Sequence, residues 1–169
     1  RGLGDVYKRQ SNGYATSSSL ETEVIPSSNT SPQAEKNRIK PPGVIFDHQD
    51  LLEFAGGKIS NVFGPEYDEI DTFQRCVRLP MDPYLLVSRV TELNAKLGKF
   101  KPSTITTEYD IPKGAWFCTD AQIPWAVAVE SGQCDLMLIS YLGIDFECRG
   151  DQVYRLLDCT LTYLSLIHI

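Results

Sequence analysis

The sequence predicts an α+β fold in which an antiparallel sheet curls around one enclosed helix. Three observations lead there. Strand candidates rich in β-formers precede residue 110. The segment 123–144 follows the helical period yet is apolar or small nearly all round. Gln152 to Leu164 then alternates as a long strand would. A helix without a broad charged face has to be enclosed, and strands on either side of it in sequence supply the sheet that encloses it.

Taken in order, residues 1–10 begin without Met and resemble translated sequencing-adapter read-through. Residues 165–169 resemble the start of another adapter peptide. Neither is expected to belong to the domain, and on that reading the chain is broken on both sides. Residues 11–42 are rich in Ser, Thr, Asn and Pro, with Leu20, Val24, Ile25 and Ile39 at no sustained period. Such a stretch buries too little surface to offset its ordering entropy, so it is expected to be a disordered linker leading into a domain over 43–164.

Asp47 can cap a short helix through Leu51, Leu52 and Phe54 that Gly56 and Gly57 stop. A second apolar turn holds Ile59, Val62 and Phe63 and ends at Gly64-Pro65. Three strand candidates follow. Arg75 to Leu79 alternates weakly, Leu85 to Leu93 sends Leu85, Val87 and Leu93 to one face, and Ser103 to Tyr109 is dense in Thr and Ile. Pro124 suits the first turn of the long helix, and Gly143 can end it. In the last segment, Val153, Leu157, Cys159, Leu161 and Tyr163 alternate against more polar positions.

Composition narrows the function. The formal charge is -6, and 42% hydrophobic content supports one core of ordinary size. Residues 1–10 carry three positive charges (Arg1, Lys8, Arg9) and one negative (Asp5), which leaves -8 for the rest. An acidic chain gains nothing from releasing counterions on a nucleic-acid backbone, so nucleic acid is not an expected partner. No stretch approaches the roughly 18 apolar residues of a membrane span. The five cysteines (Cys76, Cys118, Cys134, Cys148, Cys159) are odd in number and widely spaced, with no zinc-like cluster. They read as reduced, mostly core thiols of a cytoplasmic protein, with no metal site.

Four stretches carry a resemblance. Phe46 to Tyr67 (FDHQDLLEFAGGKISNVFGPEY) resembles the opening of the dehydratase region of bacterial polyunsaturated-fatty-acid synthases. Arg78 to Met81 (RLPM) with Leu85 to Thr91 (LLVSRVT) resembles its first strands. Ile123 to Gly143 (IPWAVAVESGQCDLMLISYLG) resembles its central helix, and Val153 to Thr162 (VYRLLDCTLT) the strand after it. The resemblance implies a hot-dog fold, truncated here because about two closing strands should follow Leu164. It implies one region of a large multidomain synthase, similar to the β-hydroxyacyl-carrier-protein dehydratases. The expected substrates are 3-hydroxyacyl thioesters on the phosphopantetheine of an acyl carrier protein, with no cofactor bound by the domain itself. The expected partners are that carrier, an adjacent second hot-dog half and the other synthase domains.

Eliminating water from such a thioester needs two proton-transfer groups and a hold on the carbonyl oxygen. In the family a His in a loop just before the helix removes the α-proton, and a carboxylate from the helix of the facing half helps the hydroxyl leave. Here the corresponding loop, Trp116 to Pro124 (WFCTDAQIP), has no histidine. His48 reads as a local packing or hydrogen-bonding residue, and His168 lies in the adapter-like end. Glu130, the sixth residue after Pro124, falls at the family's acidic position, although that residue is more often Asp. It is either a general acid whose pKa burial raises or a polar residue at a domain contact. Gln133 lies close to the same face, whereas Asp135 points about 140° away on a straight helix. Trp116, Phe117 and Trp125 flank the path of an acyl chain or simply pack the core. Residues 75–101 carry six basic side chains (Arg75, Arg78, Arg89, Lys96, Lys99, Lys101) against Asp82 and Glu92, a surplus that either guides an acidic carrier protein or is merely solvated. Three functions follow: half of a dehydratase site, a non-catalytic half that completes the scaffold and the acyl tunnel, or a hot-dog thioesterase.

Overall fold

The computed structural model describes residues 39–120, 122–155 and 158–162. These residues lie within one compact unit, Lys36–Ile169. The expected adapter-like ends and all but the last residues of the expected linker lie outside them. The architecture is α+β. Helix α1 (His48–Gly56) and helix α2 (Ile59–Phe63) come first, then two 3₁₀ turns (Pro65–Tyr67 and Ile70–Thr72). Strands β1 (Arg89–Asn94) and β2 (Thr104–Glu108) follow, and helices α3 (Trp125–Glu130), α4 (Asp135–Tyr141) and α5 (Ile144–Cys148) close the order. No helix among the described residues is long and apolar enough to cross a membrane.

The first two helices form where local chemistry places them. Asp47 accepts hydrogen bonds from the Gln49 and Asp50 backbone N–H groups, and Asp50 returns one from the Asp47 N–H at 2.9 Å, a full capping box. Lys40 pairs with Asp50 at 2.6 Å and donates to the Ile45 carbonyl, so the last residues of the expected linker touch the start of α1. Gly57 closes α1 and Gly64, at φ +111°, closes α2. No side chain of α2's own N-terminus caps it. Instead Asp71 reaches back and accepts from the Ile59 and Ser60 N–H groups and the Ser60 hydroxyl.

β1 and β2 form an antiparallel pair with Arg89 opposite Glu108 and an irregularity between Val90 and Glu92. Phe46 bridges to Val90 on the other side of β1, adding one residue of a third strand. The core lies between this sheet, α1 and α4. Leu51, Phe54, Ile59, Ile70 and Val90 are fully buried, with Leu85, Val87 and Met137 beside them. Phe63 is the aromatic hub, with ring centroids 5.0–5.7 Å from Phe46, Phe54, Tyr67 and Tyr141. Tyr67 Oη donates to the Tyr141 carbonyl at 2.6 Å, and burial pushes its phenol pKa well above the usual range.

Three expectations need correction. Arg75 to Leu79 is not a strand. Its Val77 N–H donates to Asp145 Oδ1 at 2.9 Å, and Arg78 donates to the Phe54 and Gly57 carbonyls at 2.9 and 2.7 Å. Side chains therefore hold a segment that no neighbouring strand does. Leu85, Leu86 and Val87 are all buried in succession rather than alternating, and the strand itself runs only from Arg89. Gln152 to Leu164 shows no strand among its described residues, and Val153 and Leu161 are about half exposed. Alternation alone does not make a strand without a neighbour to pair with.

The segment 123–144 also differs from one enclosed helix. It is two helices, α3 and α4, joined through 131–134 by hydrogen bonds spaced three residues apart. Ser131 Oγ donates to the Ala128 carbonyl at 2.7 Å and Gly132 follows it, the Ser/Gly combination that breaks helices. No residue of α3 is buried, whereas Cys134, Met137, Ser140 and Leu142 are. Enclosure thus begins at the break. Gly143 ends α4 as expected, at φ +98°, and a Cβ there would meet Leu97 Cδ1 at 3.1 Å and Phe146 Cδ2 at 3.2 Å. Gly143→Ala is expected to lower stability by about 1–2 kcal/mol in denaturant unfolding, from left-handed strain plus this contact.

Candidate functional site

The residues expected to form a site fall into two groups. Trp116 and Phe117 sit in the turns between β2 and α3, ring against ring at 5.5 Å and 83°. Tyr84 meets Trp116 edge-on at 5.6 Å, and Tyr109 lies 6.4 Å from Phe117. Phe117 is buried, but Trp116 is 61% exposed and donates from Nε1 to the Pro83 carbonyl at 3.4 Å. Burial, then nearby Asp82, raises the Tyr109 phenol pKa. The two sequence-adjacent aromatics therefore form one wall with Tyr84 and Tyr109, partly core and partly open. Trp125 opens α3 and is 64% exposed.

The second group is carried by the break between α3 and α4. Glu130 ends α3 and is exposed, so the apolar enclosure expected of it is absent. Gln133 is buried, and its Oε1 accepts the Leu86 N–H at 3.1 Å. Its carbonyl thus holds the 85–87 segment, which is a structural duty that the sequence did not signal. Cys134 is buried beside it, and desolvation, with a smaller contribution from Asp135, pushes its thiol up to about 12. This thiol is an inert core group.

Asp135 is the residue that the straight-helix reading set aside. Across the break at 131–134, its carboxylate lies within electrostatic reach of Glu130. Desolvation, with repulsion from Glu130 behind it, raises the Asp135 carboxyl, while the Leu136 N–H donates to it at 2.8 Å and lowers it. Two carboxylates at one helix break, one exposed and one half-buried, have environments of the kind that separate proton donor from anion.

His48 is exposed at the start of α1, on a depression of about 400 Å³ shared with Ser88, Arg89 and Asp110. Arg89 there pairs with Glu108 and Asp110, and its hydrogen bonds hold the Asp110 carboxyl below the usual range. Among the described residues no three His, Cys, Asp or Glu side chains are grouped to hold a metal ion.

No family model matches the chain, and no solved structure does. Over 125 residues, 73% of its length, the chain is 53% identical to one of the polyunsaturated fatty acid synthase subunits of Thraustochytrium sp. (strain ATCC 26185 / S-3). The chain spans only 8% of that relative's length. It is thus related in sequence to one region of a polyunsaturated fatty acid synthase.

Proposed function

We propose that this region is part of a 3-hydroxyacyl-carrier-protein dehydratase acting in polyunsaturated fatty acid synthesis, built on a hot-dog fold. The observation that carries the reading is the 53% identity to a synthase polypeptide over nearly three quarters of the chain. The α+β architecture, with a helical segment beside an antiparallel sheet, is compatible with it. In the reaction a base takes the C2 proton of the acyl thioester. The C2–H electron pair becomes the C2–C3 double bond, and the C3 hydroxyl leaves as water with a proton from an acid. Glu130 is the acid by position, with Asp135 as its neighbour and competitor. The base is the histidine of an adjacent second half, because the 116–124 loop has none. Trp116, Phe117 and Trp125 would line the acyl chain. Gln133 holds the 85–87 segment rather than the substrate, since its side-chain carbonyl is engaged by Leu86.

A second reading has a specific observation behind it. The absence of any buried residue in α3, with Glu130 exposed, suits a non-catalytic half that completes a scaffold and an acyl-tunnel wall. The test of the main reading uses the full-length parent with a 3-hydroxyacyl group on its carrier protein. The expected product is the 2-enoyl thioester, seen by mass spectrometry of the carrier as the loss of one water. Release of free acid instead would make the region a thioesterase, and unchanged substrate would end the dehydratase reading.

A further inference from the structure

The structure redistributes the six basic side chains of residues 75–101. Arg78 turns inward to two carbonyls, and Arg89 is paired with Glu108 and Asp110. Lys96, Lys99 and Lys101, by contrast, share one depression of about 520 Å³ with Leu93, Asn94 and Ser103 in the loop that joins β1 to β2. The ion pairs among the described residues belong to Lys40 and Arg89, and none uses these lysines. Glu92, the one acid between residues 83 and 107, is held instead by Asn94 and Thr106. Three unneutralised ammonium groups therefore converge on a chain whose net charge is -6.

The loop is also preshaped. The Gly98 N–H donates to the Leu142 carbonyl at 2.8 Å, which ties the loop to the end of α4. The Lys99 N–H donates to the Lys96 carbonyl, and Ser103 Oγ to that of Lys101. Between the lysines stand Leu97, 40% exposed, and Phe100, 51% exposed. An exposed ring standing in the chain between lysines that line an open depression matches a protein surface better than a small ligand, which a pocket would surround. Lipid is disfavoured as well, because recognition of anionic membranes takes a cluster of about four to eight basic residues and this loop has three.

We infer that the β1–β2 loop is a docking surface for an acidic protein domain, with Lys96, Lys99 and Lys101 steering the encounter and Phe100 anchoring it. Naming that domain as the acyl carrier rests on the function proposed above. Lysines at a rim act mainly on association, and a buried ring mainly on dissociation.

The test measures binding of the purified 169-residue chain to an acyl carrier domain by fluorescence anisotropy and stopped flow, at low and high salt. The expected result is salt-sensitive binding that the triple change K96E/K99E/K101E weakens by about tenfold or more at low salt, with little difference at high salt. Phe100→Ala is expected to speed dissociation and leave association unchanged. Both variants should unfold at the wild-type temperature, because the replaced side chains are exposed. Equal binding by the triple variant, or by a carrier whose surface carboxylates are converted to amides, would overturn the inference. So would tighter binding to phosphatidylserine vesicles than to the carrier, or competition by millimolar inorganic phosphate. Binding through the loop with no enoyl thioester formed by the parent would keep the docking surface and remove the dehydratase.

Discussion

Glu130→Gln in the full-length parent is expected to lower formation of the enoyl thioester by about 10²–10⁴-fold, the usual contribution of one positioned acid. The amide keeps the size and hydrogen-bonding reach of the side chain but cannot deliver a proton. Folding should be unaffected, because the residue ends α3 at the surface. The competitor is Asp135. Its carboxyl is already raised by desolvation and, behind that, by Glu130, so Glu130→Gln also removes part of that upward shift. Asp135→Asn separates the two. If Glu130 is the acid, Asp135→Asn changes the pH profile and leaves most of the turnover. If the full loss follows Asp135→Asn while Glu130→Gln retains most of its rate, the proton comes from Asp135. Wild-type rates in both variants would leave the scaffold reading standing.

That ambiguity arises from a helix break, and it shows where sequence reasoning works here. Features set within a few residues are legible: the Asp47 cap, the glycine ends of α1 and α2, the Thr-rich strand 104–108 and the stop at Gly143. Trp116 and Phe117 pack ring against ring because they are chain neighbours. What fails depends on distant partners. Gln133 has the spacing of a site residue, but its partner Leu86 lies 47 positions away. The 75–79 segment has the pattern of a strand, but its Val77 N–H is taken by a side chain 68 positions on. The Ser131-Gly132 pair is the local signal for the break between Glu130 and Asp135, and the helical period running through it conceals that break. The apolar character of 123–144 suggests enclosure of the whole segment, whereas burial starts only at residue 133.

Asp145 is the structural counterpart of that lesson, and its removal is expected to have the largest effect on stability. It is 2% exposed and accepts from the Val77 N–H at 2.9 Å and from Ser140 Oγ at 3.1 Å. It therefore fastens α4 and α5 to the 75–79 segment, whose own polar groups have no strand to pair with. Asp145→Ala leaves one buried and one part-buried donor unsatisfied and should cost about 3 kcal/mol in denaturant unfolding. Asp145→Asn retains an acceptor for Val77 and should cost far less, and it tests the charge separately. Desolvation raises the Asp145 carboxyl above its ordinary value of 3.8, although its two hydrogen bonds and Arg78 oppose the shift. As pH climbs past 3.8, the unfolded chain gives up this proton before the folded one does. The folded state then holds more protons, so stability falls from pH 3.8 up through the folded value. With respect to this group the protein is most stable below that window. Asp145→Asn should flatten the slope, leaving the part of the same sign that Asp135 contributes. An unchanged slope, or an alanine variant as stable as wild type, would mean that the 75–79 segment is held by Arg78 alone.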